Sequence, residues 1–189
     1  LGADEALLTY AVWDDVTFLW VLRRDDAALY LLDIGRQYLE EEVRSLRTGL
    51  DQRGSFIKPF DATKSLSLYR QIFAPAEPML EGARHVFVVP DGAMQSLPLG
   101  VLVTEKPKGS VWKFSAYRDL EWLAKKYAMT VLPSVSSLRA LRQFAKASEA
   151  SRPFIGFGDP DLGGGAAGGK GIDVAKLFTR GAFADVDAV

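Results

Sequence analysis

The stretch His85–Val103, HVFVVPDGAMQSLPLGVLV, decides the fold. Within it, Val86–Val89 is an unbroken apolar run of β-branched residues and one phenylalanine. A run without polar alternation predicts a strand covered on both faces, as in the central sheet of an α/β domain. Pro90-Asp91-Gly92 closes the run: proline offers no N–H to a ladder, and Asp and Gly accept a tight turn. Ala93, Met94, Leu97, Leu99, Val101 and Leu102 follow without a clear period. They are expected to fold back beneath the strand's carboxyl end.

Upstream, Ala6–Trp13, Val16–Arg23 and Ala27–Leu32 are three strand-like runs rich in aromatic residues. The linkers between them are short enough to force antiparallel hairpins, so the amino terminus predicts a three-strand meander. Leu39, Val43, Leu46 and Leu50 then recur at spacings of one helical face, predicting a helix from about Gly35 that ends within Gly49–Gly54. A second helix is expected from Asp61, its N-cap, to Phe73, with Leu66, Tyr69 and Phe73 as its stripe. Pro75 and Pro78 break it and leave a short apolar arm through Met79 and Leu80.

Downstream, Thr104–Gly109 reads as an exposed loop and Asp119–Tyr127 as a short helix burying Leu120, Leu123 and Tyr127. Met129–Leu132 is a brief strand stopped by Pro133. Ser134 is the N-cap of a helix carrying Leu138, Leu141, Phe144 and Ala145. Phe154–Gly158 is a third buried run. Strand–helix alternation from Val86 to Gly158 predicts parallel pairing, with the meander extending that sheet or lying beside it, antiparallel. From Leu162 the chain becomes glycine-rich and reads as a flexible linker and tail. The organisation expected is thus a meander over 1–34, an α/β core over 35–161, and a linker and tail over 162–189.

Composition narrows the chemistry. The chain has 189 residues, a net charge of -1, no cysteine and one histidine. Near neutrality argues against nucleic acid or an anionic membrane as the main partner. No apolar run is long enough to span a bilayer, and no signal peptide is visible at Leu1–Asp4, so a cytoplasmic location is expected. The absence of an initiator Met suggests a piece of something longer. Without cysteine there is no disulfide framework, thiol nucleophile or thiolate metal site. With one histidine, multi-imidazole metal sites are excluded, and any Ser-His-Asp triad would have to use His85. No Gly-x-Ser-x-Gly elbow accompanies it, and a histidine at a strand's entrance reads as solvent-facing or capping. No cofactor and no metal are expected.

Gly164–Lys170, GGAAGGK, satisfies the first seven positions of a phosphate-binding loop. The eighth should be Ser or Thr to hold Mg²⁺, and here it is Gly171, with Asp159 and Asp161 just upstream to repel phosphates. A linker is the better reading. Asp91, Asp159 and Asp161 sit at the carboxyl ends of presumed sheet strands, where α/β folds place ligands. They are candidates for one wall of a substrate cleft; the alternative is turn chemistry, since Asp beside Gly or Pro satisfies nearby backbone groups.

Four segments together resemble the CHAT domain, the caspase-like peptidase module found after tetratricopeptide repeats. Tyr69-Arg70-Gln71-Ile72-Phe73-Ala74-Pro75 with Leu80 is similar to the family's LYxxLxxPL…L helix. Val86–Leu102, VFVVPDGAMQSLPLGVL, resembles LxIVPDGxLxxLPFxAL. Lys126–Ser134 with Leu138 resembles xYxxxxxPSxxxL, and Gly156–Asp161, GFGDPD, resembles the xxGxPD strand end. The resemblance implies a caspase-like layered sheet. In this family the catalytic His follows a strand after the GxPD loop, and the Cys follows the next strand. His85 precedes its strand and does not map onto that position. What is implied is a non-catalytic amino-terminal scaffold, with the catalytic His and Cys downstream of Val189. The implied partners are a protein or peptide substrate of the complete domain and a helical-repeat region of the parent protein. A docking module without peptidase activity is the alternative.

Overall fold

The structure, a computed structural model, describes residues 1–50, 59–107 and 114–144. The chain divides after Lys146, and the unit Leu1–Lys146 carries every element below. The expected strand Phe154–Gly158, the glycine-rich segment, Asp159 and Asp161 lie outside the described residues.

The meander forms as its spacing requires. β1 (Glu5–Val12), β2 (Thr17–Leu22) and β3 (Ala27–Leu32) pair antiparallel in sequence order. Trp13 N–H donates to the Val16 carbonyl at 2.9 Å and Arg23 N–H to that of Asp26 at 2.8 Å, closing the two tight turns. The apolar run becomes β4 (His85–Val89), parallel to β1 on one side and to β5 (Ala128–Val131) on the other. The result is one mixed five-stranded sheet in the order β3-β2-β1-β4-β5. The meander therefore extends the parallel strands through β1, the expected architecture of a caspase-like layered sheet.

One face of the sheet carries most of the core. Ala6, Leu8 and Tyr10 of β1 and Val86 and Val88 of β4 lie in one buried cluster with residues of two helices. These are α1 (Arg36–Thr48), which buries Leu39, Val43 and Leu46, and α2 (Ala62–Ile72), which buries Leu66, Tyr69 and Ile72. Burying each such large apolar side chain contributes about 1.5–3 kcal/mol, so the stripe read from spacing is what holds each helix down. Asp61 caps α2 by accepting from Lys64 N–H at 2.9 Å. Two polar groups inside this core are satisfied. Tyr10 donates its hydroxyl to the Ile72 carbonyl at 2.9 Å, and burial pushes its pKa far above the usual phenol value. Ser65 donates to the Val101 carbonyl at 3.0 Å and accepts from Val103 N–H at 2.9 Å. That pair pins the irregular stretch after β4 against α2, and Met94, Leu97, Leu99 and Leu102 are buried as expected.

Several elements depart from the periodic reading. The arm after α2 is a 3₁₀ helix, Ala74–Leu80, because Pro75 and Pro78 lack the N–H that an α-helical ladder needs. The helix expected over Asp119–Tyr127 shrinks to α3 (Leu123–Lys126) after a 3₁₀ turn at Phe114–Asp119. The backbone between is drawn into pairing instead: Thr104 N–H donates to the Glu121 carbonyl at 2.8 Å and Leu123 N–H to that of Leu102 at 2.7 Å. Leu120, Leu123 and Tyr127 are buried all the same. Leu50 lies past the end of α1, which stops at Gly49, and is exposed.

α4 (Val135–Phe144) starts at Ser134, whose Oγ accepts from Ser137 N–H at 3.3 Å. It lies on the opposite sheet face, where Leu138 packs on a small cluster of Leu7, Phe87 and Leu132. Leu141 and Phe144, on the apolar stripe of that helix, are 57% and 72% exposed, because no described element covers the outer side of α4.

Gly35 joins the meander to α1 at a point with no room for a side chain. A Cβ there would lie 2.0 Å from the Asp14 carbonyl oxygen, which with that of Trp13 accepts from Arg36 N–H. Gly35→Ala should therefore destabilise the domain by about 1–3 kcal/mol, the usual cost of overpacking that forces backbone shifts, as measured by urea unfolding. An unchanged midpoint would show that α1 can shift away from the hairpin freely.

Candidate functional site at the carboxyl ends of the parallel strands

In a sheet of parallel strands, ligands gather where the carboxyl ends open onto loops. Here those ends are Val12, Val89 and Val131, followed by Trp13-Asp14, Pro90-Asp91-Gly92 and Leu132-Pro133-Ser134.

Asp91 stands at the middle of this edge. Its Oδ2 accepts from Val12 N–H at 2.8 Å and its Oδ1 from Gly92 N–H at 2.8 Å. It caps the 3₁₀ turn Gly92–Ser96 and clamps the end of β1 to the end of β4 across 79 residues. Gly92 supplies the left-handed backbone (φ 55°) that turns the chain sharply behind it. Both carboxylate oxygens thus do turn and clamp chemistry, which fixes Asp91 in place at this edge. Asp159 and Asp161, expected beside it, lie outside the described residues.

Hydroxyl groups complete the edge. Ser134 Oγ lies 2.8 Å from Ser136 Oγ and 2.9 Å from Ser137 Oγ, so the three satisfy one another at the start of α4. A serine becomes a nucleophile only beside a base, and the single imidazole is elsewhere. His85 begins β4, and at ~3.3 Å per residue it stands ~20 Å along the strand from Asp91. Its Nε2 lies 2.8 Å from Thr130 Oγ1, and its ring stacks on Phe87 with centroids 4.2 Å apart. Among the described residues no third group orients the imidazole, and no acyl-transfer constellation forms around it. The described edge thus carries carboxylates and hydroxyls but no imidazole. Among the described residues no cluster of His, Asp and Glu could hold a metal ion, and no helix is long and apolar enough to cross a membrane.

Two residues with no legible motif hold the opposite, amino-terminal edge. The Arg23 guanidinium donates to the carbonyls of Ala3, Glu5, Met79 and Glu81 at 2.8–3.0 Å, tying β2 to the chain before β1 and to the turn before β4. Only its position at a hairpin entrance hinted at such a role. Glu5 accepts from Arg142 of α4 at 2.6 Å and from Gly2 N–H at 2.5 Å, and these two bonds hold its carboxyl below the usual glutamate range. Arg142 also lies over the Phe87 ring, 5.4 Å from its centroid. One charge-assisted hydrogen bond and a cation–π contact thus fasten α4 to the sheet where few apolar side chains do.

Asp91→Ala removes both acceptors and leaves Val12 N–H in a part-buried position, so it should cost about 1–3 kcal/mol. Asp91→Asn keeps one acceptor and should cost less. Equal losses for the two in chemical denaturation would mean that the β1–β4 clamp is not what the carboxylate provides. Glu5 makes a pH prediction. Its folded-state pKa is lowered, so its contribution is complete above the ordinary glutamate value, about 4.3, and fades as pH falls through the lowered folded value. The stability gap between the native chain and Glu5→Gln should be widest near neutrality and close in acid. A gap that widens on acidification would refute this.

Residues 64–185 match the CHAT domain family. No curated protein matches the chain. The family match begins within α2 and runs through β4, β5 and α4, while the meander β1–β3 precedes it. Within it fall the VPDG strand end with its Asp91 clamp, the YAMTVLPS strand of β5, and the helix that starts at Ser134. The match spans well over half of the 189 residues and coincides with a mixed α/β sheet of the caspase-like kind, and the chain belongs to the CHAT domain family.

Proposed function

We propose that this chain is the non-catalytic amino-terminal scaffold of a caspase-like cysteine peptidase domain, with the catalytic His and Cys contributed by residues following Val189. The observation that carries this is the position of the only imidazole: His85 opens β4 and is engaged by Thr130 and Phe87, at the end opposite the one where α/β sheets react. The chain holds no cysteine at all. Family membership supports the peptidase chemistry, in which a thiolate attacks the scissile carbonyl and an imidazole accepts and returns the proton.

In this reading the chain's own work is mechanical. β1 and β4 form the floor on which the neighbouring strands assemble, and Asp91 holds their carboxyl ends level. Asp91, at the carboxyl end of β4, is the described residue that would face a protein or peptide substrate. The helical-repeat region of the parent protein is the second partner, and the cytoplasm is the compartment.

The test separates scaffold from catalyst. The isolated chain should show no turnover of a peptide library under reducing conditions. The full-length parent carrying His85→Ala should keep most of its activity, with at most a loss of about 1–2 kcal/mol of stability from the missing hydrogen bond and stacking. Turnover by the chain alone, or loss of most activity in a folded His85→Ala parent, would overturn the assignment. A parent that folds but cleaves nothing would favour a docking module.

A further inference from the structure

The sheet has two unequal faces. One is covered by α1, α2 and the segments around them, whereas the other carries only α4 among the described residues. α4 lies over the β1–β4–β5 half of that second face through Leu138, Arg142 and Phe87. On the remaining half, cross-strand pairing sets Trp20 opposite Leu29 and Phe18 opposite Leu31. Trp20, Leu29 and Leu31 are 38%, 48% and 66% exposed, and Trp13, beyond the end of β1, is 63% exposed. The rings form a ladder: Trp13 meets Phe18 edge-on at 5.9 Å, and Phe18 stacks on Trp20 at 5.9 Å.

β3 is also an edge strand, and its sequence, AALYLL, has neither the charge nor the proline by which edges are usually guarded. A contiguous apolar patch beside such an edge is the mark of an interaction surface. Two strands side by side are about 10 Å wide, the width of one helix.

Charge selects the occupant. Asp14 and Asp15 stand exposed at the β1–β2 turn, Asp25 and Asp26 at the β2–β3 turn, and Asp33 just after β3. Of the nearby cations, Arg23 is spent on four carbonyls and Arg36 is drawn to Asp14 and the Val12 carbonyl, leaving Arg24. A second copy pairing antiparallel along β3 would set Asp26 of each chain against Asp33 of the other, a like-charge contact that disfavours the dimer. The same face already shows what it accepts. α4 is an amphipathic helix that lays an arginine over an aromatic ring of the sheet and pairs it with a carboxylate at a strand end.

We propose that the β2–β3 half of this face docks a basic amphipathic helix of a partner protein. Its apolar stripe rests on Trp20, Leu29 and Leu31, and its Arg or Lys residues reach the aspartates of the two hairpin turns. The proposal does not depend on the peptidase reading.

Two synthetic helical peptides test it on the intact chain: one with a leucine stripe flanked by arginines, the other with glutamates in place of those arginines. Tryptophan fluorescence should report binding of the basic peptide, at least tenfold tighter than the acidic one and weakened by salt. Leu31→Glu, a change at an exposed position that leaves the fold intact, should weaken it at least tenfold, and Asp25→Lys with Asp26→Lys should erase the preference between the peptides. Sedimentation should show a monomer. No binding, equal binding of both peptides, binding indifferent to Leu31→Glu, or a dimer that Leu31→Glu dissolves would each overturn the proposal.

Discussion

The parallel pairing of β1 with β4 is the constraint on which everything else rests. Five consecutive pairs, from Glu5 opposite His85 to Thr9 opposite Val89, join strands some eighty residues apart. Such a pairing repays its loop-closure entropy only if both strands are then buried. Ala6, Leu8, Val86 and Val88 are wholly buried on one side, and Leu7 and Phe87 nearly so on the other. Side-chain period forbids a slip: moving either strand by one residue would turn each of these sets to the wrong face.

Both ends of that pairing are locked by polar groups. At the amino end the Asp4 carbonyl accepts from Arg84 and His85 N–H at 2.8 and 3.1 Å, and the Arg23 guanidinium gathers four further carbonyls. At the carboxyl end Asp91 takes Val12 N–H. The consequence for function is positional. The edge where a sheet of this class presents its ligands is kept level by a carboxylate whose oxygens are already occupied, while the imidazole is held at the far edge. In the scaffold role proposed above, this rigidity matters more than reactive groups.

The faces divide the labour in a similar way. The face under α1 and α2 is a packed interior, sealed by Tyr10 and Ser65 with their hydrogen bonds complete. The other face is held by lighter means, an arginine on a phenylalanine and a glutamate, and it leaves tryptophans and leucines beside an unguarded edge. Stability resides on the first face, and the docking proposed above on the second.

Local chemistry made much of this legible in the sequence. Short Asp-rich linkers can only close hairpins, Asp61 and Ser134 cap helices because their oxygens reach orphan amides, and Val86–Val89 reads as a doubly covered strand because nothing polar interrupts it. The family resemblance, too, lay in local segments around Tyr69, Asp91 and Ser134. What periodicity could not reach were choices made between distant parts of the chain. Tertiary structure decided that β1 lies parallel to β4, that Asp91 spends its second oxygen on Val12, and that Arg23 binds carbonyls from two remote segments. It also decided that residues 121–123 pair with 102–104 rather than continue a helix, and that the apolar stripe of α4 stays largely exposed. In each case the local pattern allows more than one answer, and the hydrogen-bonding groups and apolar surface of a remote partner choose between them.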